Sequence, residues 1–191
     1  MNRHQYKYLT IEVVDEPHYT ASSYNKGCNY STKYFAGDDE QYQTRTHGVK
    51  ILLDGKEINN CLIGAYGGPT GINQNSSLIQ NDQIIICCCD SIFCLTLPEL
   101  RLDWIRKCDP SSCLQIFKYQ DDFIIHGESV ITKLNKVGQI IWQFSGEDIF
   151  VSIDNEQEFN FEDDGILLID FRGTKYKIDY DGKLVWDTCK Q

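Results

Sequence analysis

Nowhere in these 191 residues do apolar side chains recur at the 3.6-residue period of an amphipathic helix, so helix content is expected to be low. No apolar stretch approaches the roughly 20 residues that a membrane-crossing helix needs. The first residues, MNRHQYKYLTIEVV, contain no apolar run ending in small residues. A secretory leader is therefore not read there, and the chain is expected to be cytoplasmic. Base is scarce: 18 Lys+Arg face 28 Asp+Glu, a formal charge of −10. That balance argues against direct binding to nucleic acid or to a membrane surface and favours a cationic partner. Histidine is scarce too, and His4, His18, His47 and His126 stand at no spacing that binds a metal or serves a nucleophile. No G-x-S-x-G, H-E-x-x-H or P-loop occurs, and Gly67-Gly68-Pro69-Thr70-Gly71 lacks the lysine and helix of a phosphate cradle. It reads as a flexible loop. No cofactor is expected and no catalytic residue is assigned. What the chain does have is 41% hydrophobic and 12% aromatic content, enough to bury the core of one domain.

That content is distributed as a repeat. Residues 84–104 read IIICCCDSIFCLTLPELRLDW, residues 123–142 read FIIHGESVITKLNKVGQIIW, and residues 166–186 read ILLIDFRGTKYKIDYDGKLVW. Each follows an acidic turn, at Asn81-Asp82, Asp121-Asp122 and Asp163-Asp164, and each ends on one of the three tryptophans, Trp104, Trp142 and Trp186. A weaker copy lies upstream, where KILLDGKEIN at 50–59 matches KIDYDGKLVW at 177–186 with Asn59 in the tryptophan's place. The spacings of about 45, 38 and 44 residues fall in the range of propeller blades. Glycine at Asp54-Gly55, Val137-Gly138 and Asp181-Gly182 supplies the positive φ of a tight turn between strands. The clearest unit predicts strands at 114–119, 123–127, 130–135 and 139–144, an antiparallel four-stranded meander. The expectation is an all-β, small or partial propeller-like domain over 1–191. Its units fall at 1–65, 76–108, 113–146 and 148–189, with a polar insertion at 15–48. Recurring tryptophans amid apolar neighbours are expected to pack between adjacent sheets.

The endings LNKVGQIIW and IDYDGKLVW resemble the repeat of quinoprotein-like (PQQ-type) β-propellers. The resemblance implies a propeller-like fold and not the cofactor, because the chain is too short to enclose a quinone site. A β-sandwich of meanders is the alternative architecture.

Nine cysteines, Cys28, Cys61, Cys87, Cys88, Cys89, Cys94, Cys108, Cys113 and Cys189, cannot all pair within one chain, and in a reducing compartment they are expected as free thiols. Residues 84–97 read as a hairpin turning at Asp90-Ser91. That register sets Cys87 opposite Cys94 with Cys89 on the same face. Three thiols there could approach a zinc ion, though a fourth ligand is missing, and burial as small hydrophobes is the simpler expectation.

Two features suit binding. From 147 to 164 the chain carries Glu147, Asp148, Asp154, Glu156, Glu158, Glu162, Asp163 and Asp164 and no base, a field that would attract and orient a basic partner. The insertion at 15–48 holds Tyr19, Tyr24, Tyr30, Tyr34, Phe35 and Tyr42 among small polar residues. Of these, Tyr24, Tyr30 and Tyr34 are the candidate contacts, tyrosine giving large contact area with few rotors to freeze. Small, acidic and without catalytic motifs, the chain resembles in character bacterial immunity proteins, the antitoxins that neutralise nuclease toxins such as those of contact-dependent growth inhibition. The resemblance implies a non-enzymatic inhibitor that occludes the active site of a basic protein toxin of the nuclease type. A scaffold that binds a peptide or an assembly subunit is the alternative, and a carbohydrate-active enzyme using paired carboxylates is a third.

Overall fold

The computed structural model describes residues 1–16, 29–37, 43–151 and 157–188, and all regular structure among them is β. The first sheet holds β1 (Asn2–Tyr6), β2 (Leu9–Asp15), β3 (Lys33–Phe35), β4 (Arg45–Leu53) and β5 (Lys56–Ala65), in the order β1-β2-β4-β5-β3. The second holds β6 (Ser77–Gln80), β7 (Gln83–Cys88), β8 (Ser91–Thr96) and β9 (Leu102–Lys107). The third holds β10 (Cys113–Tyr119), β11 (Asp122–Gly127), β12 (Ile131–Leu134) and β13 (Ile140–Phe144). The fourth holds β14 (Phe159–Glu162), β15 (Gly165–Ile169), β16 (Lys175–Ile178) and β17 (Leu184–Asp187). Every pairing is antiparallel except β3, which joins the outer edge of β5 in parallel. Among the described residues, no helix is long and apolar enough to cross a membrane.

Three hydrophobic cores join the four sheets in series. Ile11, Val49, Ile51 and Ile63 of the first sheet meet Ile84, Ile86, Phe93 and Leu95 of the second. The opposite face of that same hairpin, Ile85, Cys87, Ile92 and Cys94, meets Ile116, Phe123, Ile125 and Leu134 of the third. Ile124 and Ile131 then meet Phe159, Ile166, Leu168 and Ile178 of the fourth. The unbroken apolar run at 84–89 is thereby explained, because a strand pair buried on both faces has no polar side to alternate with.

One register recurs in every sheet. Asn59, Trp104, Trp142 and Trp186 lie opposite Ile51, Cys94, Lys133 and Lys177, each beside a break in strand register. A bulge of this kind bends the outer strand and turns its end toward the neighbouring sheet. Trp104 reaches the turn of the third sheet, where a Cβ on Gly138 would fall 2.5 Å from the indole Cδ2. Trp142 reaches the turn of the fourth in the same way, 2.5 Å from the Cβ position of Gly182, and its Nε1 donates to Tyr180 O at 3.1 Å. Only a residue without a Cβ admits the ring so close to the backbone. Where the receiving turn has no glycine, the tryptophan is replaced: Asn59 Nδ2 donates to Pro98 O and Glu99 O, both at 3.1 Å. Trp186 departs from the expected interior packing. It ends the last sheet, has no following turn among the described residues, and is 44% exposed.

The stretch 67–71 is clamped rather than loose. Gly68 N donates to Ser111 O at 2.9 Å, and buried Thr70 donates through Oγ1 to Cys89 O and Cys113 O. This link ties the first sheet to the second and the third.

Candidate functional site

The insertion at 15–48 does more than lengthen a loop, since its descending end adds β3 to the first sheet. Gly64 on β5 leaves room for the Phe35 ring, whose Cδ1 lies 2.8 Å from where a Cβ would stand. Gly37, at φ +98°, likewise leaves room for Tyr66. The two rings form one wall of a crevice of about 460 Å³, lined by Phe35, Ala36, Gly37 and Tyr66 from the first sheet and by Asp90, Ser91, Ile105 and Lys107 from the second.

Asp90 is fixed there by its own turn. Cys89 takes φ +49°, Asp90 N donates to Tyr66 O at 3.0 Å, and Asp90 O accepts from Cys108 N at 2.9 Å. The carboxylate is buried, accepts from Ser91 Oγ at 2.7 Å, and pairs with Lys107 Nζ at 2.8 Å. Lys107 itself reaches solvent, and the hydrogen bond it donates to Asp90 raises its pKa above the usual lysine range. One end of the crevice is thus aromatic and aliphatic, and the other offers a cation over a buried anion. Such a site can hold an apolar side chain next to a polar or charged group. A smaller crevice of about 160 Å³ between the third and fourth sheets is lined by Asn75, Gln115, Phe117, Gln157, Glu158, Phe159 and Phe161.

The acidic stretch is distributed rather than gathered. Exposed Glu147 and half-buried Asp148 lie in the link before the fourth sheet, where Asp148 pairs with Arg172 at 2.8 Å. Glu158 lines the smaller crevice. Glu162, Asp163 and Asp164 form the β14–β15 turn at the far end of β14, and Lys177 pairs with both Glu162 and Asp164. Asp154 and Glu156 lie outside the described residues. Of the tyrosines, Tyr30 covers Gly48 and donates to Glu16 Oε1 at 2.6 Å, and Tyr34 packs on the first core and donates to Leu100 O at 3.0 Å. Tyr24, with Tyr19 and Tyr42, lies outside the described residues.

The expected cysteine register is corrected. The hairpin turns at Cys89-Asp90, which places Cys88 opposite Ser91, Cys87 opposite Ile92 and Cys94 opposite Ile85. Cys87 and Cys94 share the second core while Cys89 faces the first, so the three thiols do not converge. The seven described cysteines are free and buried, and burial raises Cys61 and Cys94 to a pKa of about 12. Among the described residues no three His, Cys, Asp or Glu side chains come together as metal ligands. His126 is structural: Nε2 lies 2.9 Å from Phe150 O, and the ring stacks on Phe159 at 5.3 Å.

Sequence reasoning missed Tyr66, Asp90, Ile105 and Lys107 as site residues. They come from segments up to about 40 residues apart, and no local spacing marks them.

No family model matches the chain, and no curated protein matches it in sequence. Its likeness to solved structures is one of fold. The computationally designed Ika8 protein superposes with a TM-score of 0.52 at 9% identity, over 97% of this chain and 60% of that one. BamB from Moraxella catarrhalis gives a TM-score of 0.48 at 17% identity, over 73% of this chain and 43% of that one. The Neurospora crassa Pan2 WD40 domain gives 0.48 at 17% identity, over 65% and 39%. The chain therefore spans less than two thirds of the length of each. Its fold is all-β and propeller-like, built of three four-stranded antiparallel meanders and one five-stranded sheet.

Proposed function

We propose that this protein is a non-catalytic, propeller-like interaction module. It takes an extended peptide, or a loop of an assembly partner, in the crevice between its first and second sheets. The observation that carries the reading is the buried Asp90 carboxylate under the exposed Lys107 ammonium, set against the Phe35 and Tyr66 rings. A small pocket with one apolar wall and one fixed charge pair recognises a side chain together with its neighbouring polar group. Selection from a displayed peptide library tests this. Peptides enriched on the native protein should lose binding to an Ala36→Trp variant, which fills the crevice. A library that yields no binder, or binders indifferent to that substitution, overturns the reading.

A finer second reading, a cytoplasmic immunity protein that blocks a basic nuclease toxin, is supported by the placement of the acidic turns. Asp82, Asp121-Asp122 and the turn of Glu162 to Asp164 close the first hairpins of successive sheets. They are linked through Gln80 Nε2 to Asp121 O at 3.3 Å and the stacked rings of Tyr119 and Tyr180 at 4.2 Å. A row of acids on one end accelerates encounter with a cation and weakens with salt. Under this reading, Asp121→Lys with Asp163→Lys slows association with a basic nuclease at low ionic strength. An unchanged on-rate removes it. The quinoprotein-like resemblance of the repeat adds nothing to either reading beyond the fold.

A further inference from the structure

The joints between sheets follow a pairing rule, and the two ends of the stack carry its unused halves. Trp104 takes the Gly138 turn, Trp142 takes the Gly182 turn, and Asn59 takes the glycine-free turn at Pro98-Glu99. At the last sheet, Trp186 meets no turn among the described residues, and beside it Leu184 and Val185 are exposed at 48% and 58%. At the first sheet, the Asp54-Gly55-Lys56 turn receives no tryptophan: among the described residues nothing lies within 4 Å of the Cβ position of Gly55. This turn matches the one that Trp142 already binds. Both read Asp-Gly-Lys, and Gly55 at φ +77° has nearly the conformation of Gly182 at +78°. The paired positions match as well, although Lys177 is already engaged by Glu162 and Asp164. Lys133 and Trp142, paired across β12 and β13, both donate to Tyr180 O. Lys177 and Trp186 are paired identically across β16 and β17, and Leu53 holds the place of Tyr180 before Asp54-Gly55.

The same chain does not bring these two ends together, because the three cores run from first sheet to second, second to third and third to fourth, and none joins the fourth to the first among the described residues. We infer that the Trp186 face of one copy docks on the Asp54-Gly55-Lys56 turn of a second copy, head to tail, repeating the Trp142–Gly182 joint between molecules. The contact is heterologous, so the smallest closed assembly is a ring of two copies, and a ring that fails to close would extend into a chain.

Sedimentation velocity over a concentration series tests this. The native protein should associate as concentration rises, and both Trp186→Ala and Gly55→Asn should remain monomeric. Asparagine tolerates the positive φ but adds the Cβ that excludes an indole. Circular dichroism unchanged from the native protein confirms that each variant folds. The decisive measurement is the mixture: the alanine variant keeps its turn and the asparagine variant keeps its tryptophan, so together they should form a heterodimer through one joint. A native protein that stays monomeric to its solubility limit overturns the inference. So does association that persists in either variant alone, or a mixture in which no heterodimer forms.

Discussion

His47 sits on β4 with no exposed surface, and its Nδ1 lies 3.3 Å from a carboxylate oxygen of Asp15. Burial outweighs that carboxylate, and with the help of nearby Arg45 it pulls the imidazole pKa down to about 4. An unfolded histidine titrates near 6.5, so between those values the unfolded chain binds a proton that the folded chain refuses. The contribution is complete above pH 6.5 and is lost as pH falls toward 4. At roughly 1.4 kcal/mol per pH unit the loss amounts to about 3 kcal/mol. His126, whose pKa burial also lowers, acts in the same direction. Urea unfolding of the native protein should therefore weaken steadily over this range, and His47→Gln should flatten the curve. The His47 ring resonance should show no titration near pH 6.5 in the folded protein, and a midpoint there would contradict its burial. Cys89 carries a different lesson at the same scale. Its positive φ moves the hairpin turn by one residue, so that Cys87 and Cys94, expected opposite each other, pair with Ile92 and Ile85 instead. Nothing in Cys-Cys-Cys-Asp-Ser marks the first turn residue, because cysteine is not a residue that turns ordinarily select.

At the scale of elements, the glycine–tryptophan joint is a packed contact whose cost can be measured. Gly182→Ala forces a Cβ into a site 2.5 Å from Trp142 at φ +78°. Removing the half-buried Trp142 to alanine loses ring contact with the third core. Each substitution should destabilise by about 2 to 3 kcal/mol. In the double variant the clash has nothing to strike, so the costs should fall short of additive by at least about 0.5 kcal/mol. Strict additivity would mean that the ring does not rest on the turn. Much of this was legible beforehand. Alternation and turn residues predicted strands at 114–119, 123–127, 130–135 and 139–144, and the strands stand at Cys113–Tyr119, Asp122–Gly127, Ile131–Leu134 and Ile140–Phe144. The aligned tryptophans pointed to inter-sheet packing, and two of the three have it. What sequence concealed was non-local. β3 is three residues long and pairs in parallel with a strand more than 20 residues away, so neither period nor hairpin turn announces it. The crevice that it helps to build was hidden with it.

At the scale of the molecule, four sheets on three cores form an open series in which stability is distributed by position. β7 and β8 are buried on both faces, apart from their ends, because they separate two cores. β17 lies at the opposite extreme, with all four residues exposed. In a quasi-one-dimensional stack each sheet is held only by its neighbours, so an end sheet opens at lower free energy than an interior one. Amide hydrogen exchange at low protein concentration should show this gradient. Protection should be greatest in β7, β8 and β11, open only by global unfolding, and least in β17. Uniform protection across all four sheets would mean that the ends are held by something the intrachain contacts do not supply. Raising the concentration then separates intrinsic stability from association. If Trp186 finds the Gly55 turn of a second copy, β17 and the β4–β5 turn must gain protection together, at one concentration and to a similar degree, because each is the other's partner. Protection gained at one end alone would point to a different contact, and the ends of the stack would then not be complementary.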